Sequence, residues 1–183
     1  MYVAKFITLG DDMLGNKAVK VALLISMLGF VGLTLSTQAS AACNLVSTKD
    51  GSPLGIKEVD TDTPQAKEFL ETCINPYTKA FANDPAAAKA GKKKFGLYSC
   101  TQCHGPNAGG QVGPSITDER WQYAKHVTDK GMFETIAGGS NGGMMTWHQQ
   151  LSNPDNPSTD EILKIIGWLR SEYKGGGDKP WLK

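Results

Sequence analysis

The sequence has little from which to build a sheet, a membrane span or a nucleic-acid surface. No stretch alternates apolar and polar residues with a clear period of two, so strands are not predicted. The βαβ pattern that would frame a thioredoxin-like site is missing with them. Neither sign of charge is in excess: 19 Lys and Arg stand against 18 Asp and Glu, a net charge of +1. No nucleic acid or other strong polyanion is implied as a partner. The apolar run from Val21 to Leu35 covers about 15 residues, against the roughly 20 that span a bilayer. Cysteine and histidine are scarce, four and three in 183 residues. A zinc site needs four such ligands at close spacing, and the material for one is not there.

What is there centres on Cys100, Thr101, Gln102, Cys103 and His104. Two thiols three positions apart, followed at once by a histidine, form the attachment signature of a c-type haem. Each cysteine adds to one vinyl group and leaves a thioether, and the adjacent imidazole reaches the iron as proximal ligand. The rival readings lack support. Cys43 and Cys73 stand alone, and the other histidines are His126 and His148.

The first 41 residues read as an export signal. Lys17 and Lys20 precede the apolar run, and Gln38-Ala39-Ser40-Ala41 fits the small-x-small cleavage pattern. Cleavage is expected after Ala41. The stretch before Lys17 is long for such a segment, so translation from Met13 is an alternative start, and an uncleaved anchor is the alternative fate. Removing Lys5, Lys17, Lys20, Asp11 and Asp12 leaves 16 basic and 16 acidic residues, a net charge near zero. Cys43 has two readings. A cysteine after a signal peptide can carry a lipid, but Ser40-Ala41-Ala42 lacks the leucine usual three positions before such a site. The other reading is a disulfide to Cys73, which an oxidising compartment permits.

The rest divides into an N-terminal extension with one helix (42–83), a haem domain (84–175) and a tail (176–183). Residues 44 to 62 are polar and read as an extended lead-in. Thr63-Pro64 opens a helix with a Thr N-cap and Pro at the first position. Ala66, Phe69, Leu70 and Cys73 give it one apolar face, and Pro76 ends or kinks it. A second helix starts near Asn83-Asp84-Pro85 and carries Lys89, Lys92, Lys93 and Lys94, read as a docking patch or as a solvated face. Thr128-Asp129 caps a short helix with Met132, Phe133 and Ile136, which stops at Gly138-Gly139. Ser158 and Glu161 form a capping box before Ile162, Ile165, Ile166 and Leu169, with Trp168 beside them. The core is expected to be all-α. About 90 residues make a small core, and an apolar haem supplies much of what it packs around.

These residues resemble a class I cytochrome c. That family has a helix ending at C-x-x-C-H, a Gly-Pro, a methionine loop, and a C-terminal helix with an aromatic residue crossing the first. Here those are the helix before Cys100, Gly113-Pro114, Met144-Met145 and the helix bearing Trp168. Gly91 and Phe95 lie one residue farther from the first haem cysteine than their counterparts in the family. The resemblance implies that the Pro114 carbonyl accepts a hydrogen bond from His104 Nδ1–H, which fixes the ligand's tautomer. Over residues 100 to 175 the order Trp121, Tyr123, Thr128-Asp129, Gly131, Phe133, Thr135-Ile136, Gly138-Gly139, Asn141-Gly142, Met144-Met145, His148 is similar to cytochrome c-L. That likeness implies Met145 as sixth ligand, with Met144 and His148 as alternatives. This sequence has an additional glycine, Gly142-Gly143, before the pair. Trp121 and Tyr123 are candidates to hydrogen-bond haem propionates, or to wall the pocket.

The likeness also implies a fold built around one covalent haem c and a soluble, monomeric, periplasmic one-electron carrier rather than an enzyme. Its partners would be a PQQ-dependent methanol dehydrogenase of calcium or lanthanide type and a downstream cytochrome c or oxidase. A calcium ion near a propionate is a further implication, without assigned ligands. The alternative of another class is a haem enzyme or a gas or peroxide sensor whose sixth ligand is displaceable.

Overall fold

The first three helices start where a short polar side chain can cap them and proline can take the first turn. The computed structural model describes residues 42–182; the expected signal peptide and its cleavage site lie outside them. Helix α1, Pro64–Thr72, is capped by Thr63, whose side chain accepts from Ala66 N–H. Helix α2, Pro76–Asn83, is capped by Asn75, and α3, Pro85–Leu97, by Asp84. Proline at each first position loses no hydrogen bond, because that N–H has no intrahelical partner. The one-turn α4, Thr101–His104, carries the haem motif. Helix α5, Asp129–Gly138, is capped by Thr128, and α6, Thr159–Ser171, has the full Ser158–Glu161 capping box.

The stretch 42–83 was expected to hold one helix and holds two. Pro76 neither kinks α1 nor merely stops it. The first helix has already ended at Cys73, in left-handed conformation (φ 61°), and Asn75-Pro76 begins a second. Residues 44–62 are also more than a lead-in. Leu45 and Leu54 are buried, and the chain between them folds back on itself through an isolated antiparallel bridge, Val46 to Pro53. Among the described residues the regular structure is otherwise helical, so the fold is all-α.

Helix α6 is the axle. Ile162, Leu163, Ile165, Ile166, Trp168 and Leu169 are all buried. Helix α3 crosses one side of it and α2 the other, and a glycine permits each close approach. A side chain on Gly91 of α3 would collide with the Lys164 carbonyl and with Trp168 Cβ. A Cβ on Gly167 would lie 2.9 Å from Phe81 Cδ2 and 3.0 Å from Tyr77 Cβ. Phe95 packs on Trp168 with ring centroids 5.0 Å apart. Lys94 Nζ and Tyr98 O–H both donate to Glu161 (2.6 and 2.7 Å), tying the end of α3 to the start of α6. Phe69 of α1 meets Phe133 of α5 at 4.7 Å. A disulfide joins Cys43 to Cys73, so neither thiol is left to carry a lipid. No helix among the described residues is long and apolar enough to cross a membrane.

Candidate haem-binding site

The motif is presented by a break in the chain's helical path. Helix α3 ends at Tyr98, Ser99 takes a left-handed turn (φ 58°), and α4 starts at once. Cys100 N–H bonds Phe95 O (3.1 Å) and His104 N–H bonds Cys100 O (3.0 Å). Cys100 and Cys103 are free, the first partly buried and the second exposed. Burial pushes the Cys100 thiol up to about 11, so it is protonated near neutral pH.

The glycine loop then folds back under the imidazole. Gly113 N–H bonds Cys103 O (2.7 Å), Gly110 N–H bonds His104 O (2.9 Å), and Ile116 N–H bonds Ala108 O (3.0 Å). The Pro114 carbonyl thereby stands 2.8 Å from His104 Nδ1. A carbonyl can only accept, so Nδ1 carries the proton and Nε2 keeps its lone pair. That is the tautomer an iron ligand requires.

His104 and Pro114 form one wall of a largely apolar cleft. Ile116, Trp121, Tyr123, Met132, Ile136 and Leu169 line it further, with Met144. Trp121 is fixed from behind: it stacks on Tyr173 at 5.8 Å, and the Arg170 guanidinium lies 5.3 Å from its ring centre. Tyr123 and Trp121 thus both reach the cleft. Arg120, His126, Thr135 and Ser140 add a polar lining, of which only Thr135 belongs to the motif order quoted above. His126 Nε2 lies 2.8 Å from Thr135 Oγ1. Burial, helped by Lys125 and Arg170, pushes His126 down to about 4 and leaves it neutral.

The methionine side differs from expectation. Met144 lines the cleft, whereas Met145 is 65% exposed and does not. His148 is not in the lining either. It is fully buried, Nε2 lies 3.0 Å from Thr159 Oγ1, and Nδ1 accepts from Gln150 N–H (3.2 Å). Both ring nitrogens are engaged, and burial pushes the imidazole down to about 4. Of the lysines, Lys94 pairs with Glu161 and Lys92 donates to Asn107 Oδ1 (3.1 Å); Lys93 makes no such bond among the described residues.

Known proteins share this sequence pattern and fold. Residues 86–166 match the family described as cytochrome c oxidase, cbb3-type, subunit III. The crystal structure of cytochrome cL from the marine methylotrophic bacterium Methylophaga aminisulfidivorans is 36% identical. It covers 76% of this chain and 87% of its own, with a TM-score of 0.62. The chain belongs to the cytochrome c-L family. Cytochrome cL from Hyphomicrobium denitrificans is 34% identical, with a TM-score of 0.62, over 74% of this chain and 76% of its own. Cytochrome c-L of Methylorubrum extorquens is 41% identical over 127 residues, 69% of this chain. The alignment spans 59% of that protein's length. Cytochromes c-L are electron-transfer proteins, not enzymes.

The residues of this cytochrome c-L fit a covalent haem c. Two free thiols stand at attachment spacing, the imidazole between them and the cleft has its second nitrogen engaged, and the lining is mostly apolar. A calcium ion has no such support. No group of three or more His, Cys, Asp or Glu that could hold a metal occurs among the described residues.

Proposed function

We propose that this cytochrome c-L is a periplasmic one-electron carrier. It takes electrons from a PQQ-dependent methanol or alcohol dehydrogenase and hands them to a downstream cytochrome c or oxidase. The observation that supports the reading is that His104 and Met144, both of types that ligate haem iron, line the same largely apolar cleft. Cys100 and Cys103 would hold a haem c as thioethers, and that group would supply an iron that cycles between ferrous and ferric. His104, oriented by Pro114, would be one iron ligand, and Met144, as a thioether second ligand, would favour the ferrous state and raise the potential. With both ligands supplied by side chains, no position would be left for a substrate. Trp121, Ile116 and Leu169 give the cleft an apolar lining. The Cys43–Cys73 bridge fits an oxidising compartment.

Visible spectroscopy tests the ligand set. A ferric far-red band from iron–thioether ligation, lost in Met144→Ala and kept in Met145→Ala, supports it. A ferrous protein that binds carbon monoxide avidly would sink the carrier reading in favour of an open-site enzyme or sensor. Reduction by a purified methanol dehydrogenase tests the donor, and failure of that transfer removes the donor while leaving the carrier.

A further inference from the structure

The methionine loop has little structure of its own. Between Ser140 and Trp147 its internal backbone bonds are Ser140 N–H to Met144 O (2.9 Å) and a long Gly143 N–H to Ser140 O (3.4 Å). Gly142 and Gly143 add no side chains to stiffen it. Yet Met144 is in the cleft wall and Met145, its neighbour, is not.

The turn formed by residues 45–54 supplies what the loop lacks. It closes on itself through Leu54 N–H to Leu45 O (3.0 Å) and Ser47 N–H to Ser52 O (2.7 Å). It is fastened to α5 by Val46 N–H donating to Glu134 Oε1 (2.9 Å) and by Thr48 Oγ1, 2.8 Å from Thr135 Oγ1. Glu134 is itself held by Lys125 and Lys130. From that fixed base one residue reaches both sides of the methionine pair. Asn141 Nδ2 donates to the Lys49 carbonyl (2.8 Å), and Lys49 Nζ donates to Thr146 Oγ1 (3.3 Å). The Lys49 stem also lies against the loop's first glycine, since a Cβ on Gly139 would sit 3.1 Å from Lys49 Cε.

We propose that residues 45–54 are a brace that holds Met144 in the cleft wall, with Lys49 and Asn141 as its positioning residues. The proposal rests on Met144 being the second axial ligand. Neither residue touches the cleft; each acts by fixing the ends of the segment that does. A solvent-accessible hydrogen bond shifts such an opening equilibrium by a factor of a few, so losing both should raise it about tenfold.

The test uses the holoprotein and the variants Lys49→Met and Asn141→Ala, singly and combined. Three readouts are followed: the rate of carbon monoxide uptake by the ferrous form, the ferric far-red band on warming, and the helical circular dichroism melt. The double variant should take up carbon monoxide about tenfold faster than wild type, with each single variant between. Its far-red band should fade well below the helical melt. Unchanged uptake and an unchanged band overturn the brace, as does a band that is lost only together with the helices. Met144→Ala, measured beside them, separates the two claims. If it keeps the band, the ligand assignment fails and the brace with it. If it loses the band while the double variant keeps wild-type behaviour, only the brace fails.

Discussion

The two walls of the cleft are held in opposite ways. The His104 wall is closed by bonds among residues 95 to 116, each spanning a few positions: Cys103 with Gly113, His104 with Gly110 and Pro114, Ala108 with Ile116. The Met144 wall has local bonds as well, such as Thr146 Oγ1 to Gly138 O (3.0 Å) and Trp147 N–H to Ile136 O (3.2 Å), but it adds partners about 90 positions away, through Asn141 to Lys49, Thr135 to Thr48 and Gln150 to Lys57. A locally closed wall forms as soon as its own segment folds. A wall closed at long range exists only when the whole domain is assembled, because the loop-closure entropy must be met first. On the proposed ligand set, the ligand that must stay is on the first wall, and the ligand whose hold can be graded is on the second.

Removing the covalent anchor breaks the first wall outright, the largest effect expected. Cys100→Ala or Cys103→Ala keeps one thioether and should destabilise the holoprotein, while the double variant should release its haem into acid acetone and wild type should release none. A matched pair of glycine substitutions then sets one wall against the other. Gly139 has φ 75° and ψ −174°, a region essentially restricted to glycine. A Cβ there would lie 2.6 Å from Met144 O and 2.9 Å from Met145 C. Gly139→Ala should cost about 4 kcal/mol in denaturant unfolding. Gly113→Ala would meet only the His104 ring edge and Cys103 O at 3.2–3.3 Å and should cost about 1 kcal/mol or less. Equal costs would show that the walls do not differ in the way described.

Cutting the tether upstream of the brace comes next. Cys43→Ser with Cys73→Ser opens a loop of 30 residues, worth roughly 3–4 kcal/mol in the chain-entropy account. Thermal unfolding of the double variant measures it, and a loss far below 1 kcal/mol would mean the segment is held by its other contacts alone. The smallest effect is acid sensitivity on the methionine side. His148 has a folded pKa of about 4 against roughly 6.5 unfolded. The unfolded chain therefore binds the extra proton first. Stability is fully present above about pH 6.5 and is lost as pH falls toward 4, by up to about 3 kcal/mol. His148→Gln should lower stability at pH 7 but flatten that limb of the curve. Glu161, held down to about 2 because Lys94, Ser158 and Tyr98 outweigh its burial, gives a separate loss below pH 4.5. A His148→Gln curve parallel to wild type would refute the assignment.

The same division governs what could be read from the sequence. The haem motif, the caps at Thr63, Thr128 and Ser158 and the apolar faces of α5 and α6 are local patterns, and local patterns leave a local record. Asn75-Pro76 left one too, identical in kind to Thr63-Pro64. Within the sequence it reads as an end or a kink, because proline inside an apolar periodicity ends one helix and begins another with the same residue. Met144 against Met145 is not legible, since adjacent methionines in a glycine loop carry no periodicity and only the folded loop shows which side chain turns inward. His148 resembles a ligand in sequence, but its partner Thr159 is 11 positions away, and burial of both was invisible. Leu45 and Leu54 sit in a polar stretch with no periodicity, so nothing marked the brace.

The Cys43–Cys73 bridge has a consequence for how the protein is made. Four cysteines admit three complete pairings, and every one of them ties up Cys100 and Cys103. Only the pairing that includes Cys43–Cys73 joins those two to each other. In an oxidising compartment, maturation therefore needs opposite chemistry at two places on one chain: an oxidant to seal Cys43 to Cys73, and a reductant to keep the other pair open until both thioethers form. The reductant must discriminate, and the fold gives it grounds to. Cys103 is exposed, where exchange is fast, while Cys43 is packed against the core, where attack in line with the bridge is hindered. Accessibility thus sorts the thiols during the biosynthetic window in which the haem is attached.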